Sequence, residues 1–307
     1  MTLVKKLSCT AAIAVMVSSC AASCSAQDWA KATLAKSPRH SEFVTLPEAN
    51  GRKLQVWVVY PQVKTKAPVV VMIHEIFGLS DWAQEMADEL AGAGYIVVEP
   101  DLLSALGPST TPTAAPSSAG APMDHAAIQM GQGGPGAPYV AAQPGGTSAF
   151  PDRNAVVRAV SSLPDAQVLA DLDAAADYGK NLPSADGKLY VAGFCWGGGK
   201  SFLFATHRSD LSAAFVFYGP PPPADAMKSI DAPVYGFYAG NDARISATIP
   251  QTEADMKAAG KTYKPVVYDG AGHGFMRAGE APDANAADSA ARAQGFRRLV
   301  TLLGGVR

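Results

Sequence analysis

The sequence predicts an α/β protein, a mostly parallel sheet wrapped by helices on both faces, and three observations carry that expectation. Short apolar runs suited to buried strands alternate with segments of helical period. The composition, 48% hydrophobic and 17% charged over 307 residues, suits one sizeable core better than several small ones. The stretch VAGFCWGGGKS, residues 191–201, falls where a strand should hand over to a helix.

The chain opens on a segment outside that rhythm. Lys5 and Lys6 precede an apolar run at 11–17, and small residues follow up to Ala26, the order of a secretory signal peptide. Residues 1–26 are therefore expected to be removed near Ala26, leaving 27–307 as a single domain in the periplasm or outside the cell. Lipidation at Cys20 is the alternative processing route. No other apolar run approaches the twenty residues that span a bilayer, so no transmembrane segment is expected. Cleavage removes two lysines and no acid, making the mature chain more acidic than the formal −2 of the whole, which argues against a nucleic-acid partner. It also removes Cys9, Cys20 and Cys24. Cys195 is then the sole thiol, with no disulfide open to it.

From there the elements follow in turn. Leu54, Val56, Val58 and Tyr60 alternate with other residues like a half-buried edge strand, and 68–74 is a continuous apolar run suited to a central strand covered on both faces. A helix is expected over 81–93, closed by Gly94, followed by a short strand at 95–98. A second helix is expected over 165–178. Strands at 189–192, 213–218, 234–238 and 265–268 come next, with helical segments between most of them and a last helix over about 284–303. Residues 104–151, rich in Gly, Pro, Ala, Ser and Thr, show no sustained period. They read as a low-complexity insertion, either a surface linker or a lid over the site.

Two templates compete for residues 191–201. A phosphate loop needs four residues between its first glycine and Gly-Lys-Ser; here five separate Gly193 from Gly199, and Phe194 and Trp196 would crowd the backbone approach to a phosphate. Gly193-Phe194-Cys195-Trp196-Gly197 fits the other template, G-x-nucleophile-x-G, in which glycines clear space for a sharp turn. Cys195 would then head a helix, where free N–H groups favour a thiolate and a developing oxyanion. That template expects an acid and then a histidine after later strands. Asp242 follows the strand at 234–238 and His273 the strand ending at Tyr268. His40, His125 and His207 lack such a setting, no metal-ligand spacing occurs, and no cofactor is expected.

HEIFGL at 74–79, PDLL at 100–103, GFCWGG at 193–198 and AGHGFMR at 271–277 together resemble the dienelactone hydrolase family, over most of the chain from Leu54 onward. The resemblance implies the α/β-hydrolase fold and hydrolysis of a small ester or lactone by a Cys195-His273-Asp242 triad through a thioester. It further implies that Glu75 meets the thiol and takes its proton when substrate arrives, that the backbone N–H groups of Ile76 and Trp196 form the oxyanion hole, and that Arg277 grips a substrate carboxylate. A second carboxylate-binding arginine belongs five residues beyond Pro100, where this chain has Ala105. Arg153 and Arg158 are the arginines that could replace it in space. The rival from another class is a binding or redox-sensing protein that uses Cys195 as a sensor thiol. The sequence leaves the oligomeric state open.

Overall fold

The computed structural model describes residues 27–47, 52–107 and 145–305. The expected leader at 1–26 and most of the expected insertion lie outside the described residues.

Helix α1 (Asp28–Leu34) precedes two antiparallel strands, β1 (Ser41–Pro47) and β2 (Lys53–Val59). Then come β3 (Ala67–Ile73), α2 (Asp81–Gly92) and β4 (Ile96–Asp101). Beyond residue 145 follow a single 3-10 turn (Thr147–Ala149), α3 (Arg153–Ser161), α4 (Asp165–Asn181), β5 (Ala185–Phe194) and α5 (Trp196–His207). The chain continues through β6 (Ala213–Phe217), α6 (Ala224–Met227), β7 (Val234–Ala239), α7 (Ala243–Ser246) and α8 (Ile249–Ala258). It ends with β8 (Tyr263–Tyr268), α9 (Phe275–Ala278) and α10 (Ala286–Gly305).

The eight strands form one sheet in the order β1-β2-β4-β3-β5-β6-β7-β8, parallel from β4 to β8 and antiparallel at the β1-β2-β4 end. Strand β3 is buried along its whole length because both faces are covered. Val69, Val71 and Ile73 enter one apolar cluster with α4 and α5, while Val70 and Met72 enter another with α2 and α10. No helix among the described residues is long and apolar enough to cross a membrane.

Three expectations change. The strand expected at the edge, β2, is interior: β1 pairs outside it along seven register positions, Ser41 opposite Val59 to Pro47 opposite Lys53. Strand β1 is half-buried on both faces, so it lacks the alternation that betrays a one-sided strand. Helices α1 and α3 were also not expected. Finally, both ends of the 104–151 stretch belong to the body. Ser104 is fully buried, and its hydroxyl accepts from the Gln55 N–H and donates to the Asp101 carbonyl. Thr147 is bonded to Asp101 from the other side.

Candidate active site

Parallel strands deliver their carboxyl ends to one rim of the sheet, and every candidate residue lies there. Cys195 occupies the step between β5 and α5 with φ +57° and ψ −115°. For a residue with a Cβ that conformation is strained, on the order of 1–3 kcal/mol, and persists only where the surroundings enforce it. The glycines explain how. A Cβ on Gly193 would lie 2.0 Å from the Gly197 carbonyl oxygen, and one on Gly197 would lie 2.4 Å from the carbonyl oxygens of both Ile73 and His74. The turn therefore packs backbone on backbone.

Two loops bring partners to the thiol. His273 follows β8, and its Nε2 lies 3.0 Å from Cys195 Sγ. Asp242 follows β7, and its Oδ2 lies 2.5 Å from His273 Nδ1. An ionised carboxylate only accepts, so this pairing puts the imidazole proton on Nδ1 and turns the Nε2 lone pair toward the thiol. Tyr218, at φ +39° directly after β6, packs edge-on against the His273 ring with centroids 5.1 Å apart.

The backbone N–H groups of Trp196 and Ile76 act on the sulfur, each lowering its pKa. They favour its thiolate, but burial and then the charge of Glu75 outweigh them and push the thiol up to about 11.

Glu75 is buried, and both its carboxylate oxygens have protein partners. Oε2 accepts from Arg277 Nε at 2.7 Å and Oε1 accepts from the Tyr218 hydroxyl at 3.3 Å. Glu75 reaches the sulfur through its field, while His273 makes the hydrogen bond. Arg277 is correspondingly an ion-paired residue, engaged through Nε.

A second guanidinium stands beside it. Arg153 Cζ lies 3.7 Å over the Phe77 ring and Arg277 Cζ lies 5.1 Å from the same ring. Partial burial and the positive charge of Arg277 lower the pKa of Arg153, against the pull of Glu75. Of the two arginines that could replace the one missing at Ala105, Arg153 is therefore the one at the site. Arg158 sits in the last turn of α3.

Sequence reasoning missed Tyr218, Phe77 and His74 as parts of this arrangement. His74 is fully buried, its Nδ1 lies 2.7 Å from the Glu75 carbonyl, and its ring stacks on Trp196 at 5.8 Å. Desolvation lowers its pKa, keeping the imidazole neutral, so Nδ1–H donates to that carbonyl. His74 and Phe77 lie in the HEIFGL stretch, and Tyr218 directly follows β6, but nothing in those local stretches shows which side chains they meet.

The sheet and its strand-to-helix turn are those of the α/β-hydrolase fold. The model of the dienelactone hydrolase family matches residues 54–306. A Methylorubrum extorquens protein with the provisional name carboxymethylenebutenolidase is 32% identical over 220 residues, covering 68% of this chain and 63% of that protein. A Yersinia pestis protein with the same provisional name is 29% identical over 248 residues, covering 77% and 79%. Among solved structures, a provisionally named dienelactone hydrolase from Klebsiella pneumoniae aligns with a TM-score of 0.65 at 25% identity, over 87% of this chain and 98% of its own. The chain belongs to the dienelactone hydrolase family.

Proposed function

We propose that this protein hydrolyses a small ester or lactone bearing a carboxylate, using Cys195 as nucleophile, and that it does so outside the cytoplasm once residues 1–26 are removed. The observation that carries the reading is the line from Cys195 Sγ through His273 to Asp242, at 3.0 and 2.5 Å, with the sulfur on a strained turn. His273 Nε2 takes the thiol proton as the sulfur attacks the carbonyl carbon, and Asp242 stabilises the imidazolium. The N–H groups of Ile76 and Trp196, which already favour negative charge on the sulfur, hold the oxyanion. Collapse returns the proton to the leaving alkoxide and leaves a thioester. His273 then activates water, and the acid departs.

Glu75 and the two arginines tie chemistry to binding. A thiol held up to about 11 is protected while the site is empty. A substrate carboxylate arriving at Arg153 and Arg277 competes with Glu75 for Arg277 and frees Glu75 to assist removal of the proton. The same elevated pKa weighs against the sensor-thiol reading, since redox sensors rely on an exposed, low-pKa thiolate.

The test is turnover of carboxylate-bearing and neutral esters by the protein and by Cys195→Ala. One equivalent of alkylating agent should abolish turnover, and the alanine variant should lose at least about 10³-fold in kcat. Substantial hydrolysis by Cys195→Ala sinks the nucleophile assignment.

A further inference from the structure

The loop that carries the Ile76 N–H has two backbone turn bonds of its own, from the Gly78 N–H to the Glu75 carbonyl at 3.1 Å and from the Ser80 N–H to the Gly78 carbonyl at 2.8 Å. Its far end is also tied from elsewhere. Thr147, just after the chain returns to the described residues, donates its hydroxyl proton to Asp101 Oδ1 at 2.8 Å, and its backbone N–H donates to Asp101 Oδ2 at 2.7 Å. The same hydroxyl oxygen accepts from the Leu79 N–H at 2.9 Å. Asp101, buried at the end of β4, also accepts from the Leu103 N–H and so is held on both sides. The fit leaves no slack: a Cβ on Gly78 would lie 2.4 Å from Thr147 Oγ1, and a Cβ on Gly146 would lie 2.4 Å from Asp101 Oδ2.

We infer that Thr147 is a positioning residue for the oxyanion loop: its hydroxyl bridges Asp101 on β4 to Leu79, and through the 75–79 turn it sets where the Ile76 N–H points. Both halves of the bridge are needed. A hydroxyl is the one side-chain group of this size that donates to a carboxylate and accepts from an amide at once. The residue lies within the compositionally biased return of the chain, which thereby takes part in the site although none of its atoms contacts the thiol. Six residues further on, Arg153 covers Phe77 of the same loop, so the returning segment holds the loop at two points.

The inference rests on the hydrolase reading for its kinetic arm and on nothing catalytic for its second arm. Thr147→Val keeps the shape and removes both bonds; Thr147→Ser restores them. If the hydroxyl positions the oxyanion donor, Thr147→Val should lower kcat about 10- to 100-fold, short of the 10²–10³ for outright loss of a donor, with KM within about threefold. The inhibition constant of a trifluoromethyl ketone, whose adduct carries the oxyanion, should rise in parallel. Thr147→Ser should recover to within a few-fold of the parent. Independently of turnover, amide hydrogen exchange across 76–79 should quicken in Thr147→Val and not in Thr147→Ser. Should the valine variant fail to fold, Thr147→Ala replaces it, with the same outcomes read. Unchanged kcat in a folded variant, or unchanged exchange at 76–79, overturns the inference. If the parent hydrolyses no ester while exchange responds as expected, the hydrolase reading fails and the positioning role stands.

Discussion

The strand-to-helix turn at 193–198 and the loop at 74–79 flank the same sulfur, yet they are held in opposite ways. The turn is self-contained: Gly193, Gly197 and Gly198 let backbone press on backbone, and the contacts that force Cys195 to φ +57° come from β3, β6 and α5 directly against it. The loop is held by side chains from distant segments, namely Thr147 on Leu79, Arg153 on Phe77, and Arg277 and Tyr218 on Glu75. A feature enforced by neighbouring backbone leaves a short motif in the sequence. One enforced by scattered side chains does not.

That difference sets the largest expected effect. Gly197→Ala places a methyl 2.4 Å from the carbonyl oxygens of Ile73 and His74, and Ile73 cannot move without disturbing its register with Gly193 in β5. The variant should lose about 3 kcal/mol or more in urea unfolding and all turnover with it. Gly78→Ala meets a side-chain hydroxyl instead, with φ +68°, and should cost only about 1–2 kcal/mol while still impairing turnover. Equal losses in the two variants would mean that the loop is as rigidly built as the turn.

The contrast also explains what the sequence disclosed. Cys195, Asp242 and His273 were legible because each occupies the loop or turn that directly follows a parallel strand, and strand order fixes loop order. Glu75 and Arg277 were legible only through family resemblance, and their mutual ion pair was not, because nothing in either local stretch encodes a contact 202 residues apart. The fold shows the same pattern. The fully buried strands β3 and β4 announce themselves as apolar runs, whereas β1, with no buried residue and two exposed ones, was invisible until its pairing with β2 was seen.

Field effects give the next prediction. Glu75 is the second cause, after burial, of the raised Cys195 thiol, so Glu75→Gln should lower that pKa while burial keeps it above its ordinary value. Alkylation by iodoacetamide at pH 8.5 should then quicken by about tenfold for each unit of the fall. The sign for stability follows. A folded-state pKa of about 11 against 9.0 contributes stability that is complete below pH 9 and lost as the pH rises toward 11. In Glu75→Gln that loss should end at lower pH. An unchanged alkylation profile would show that the turn alone sets the thiol and that the loop has no hold on it.

The smallest effect separates the two guanidiniums. Arg277 is the less clean probe of carboxylate binding, because removing it also leaves Glu75 without its ion pair and so alters the thiol. Arg153 is exposed, stacks on Phe77 and sits on the returning segment, so Arg153→Met leaves the Glu75–Arg277 pair in place and retains an apolar stem on the ring. A charge-assisted contact is worth about 1.5–3 kcal/mol when shielded, and solvent screening at an exposed residue brings that to about 1 kcal/mol, roughly fivefold. The preference in kcat/KM for a carboxylate-bearing ester over a neutral one of equal size should therefore fall about fivefold in Arg153→Met, and the fall should shrink as salt is raised. Thiol alkylation should stay as in the parent, which is what distinguishes this variant from Arg277→Met. If the preference survives Arg153→Met intact, Arg153 serves only to hold Phe77, and the loop's clamp has a structural half and a binding half rather than two residues doing both.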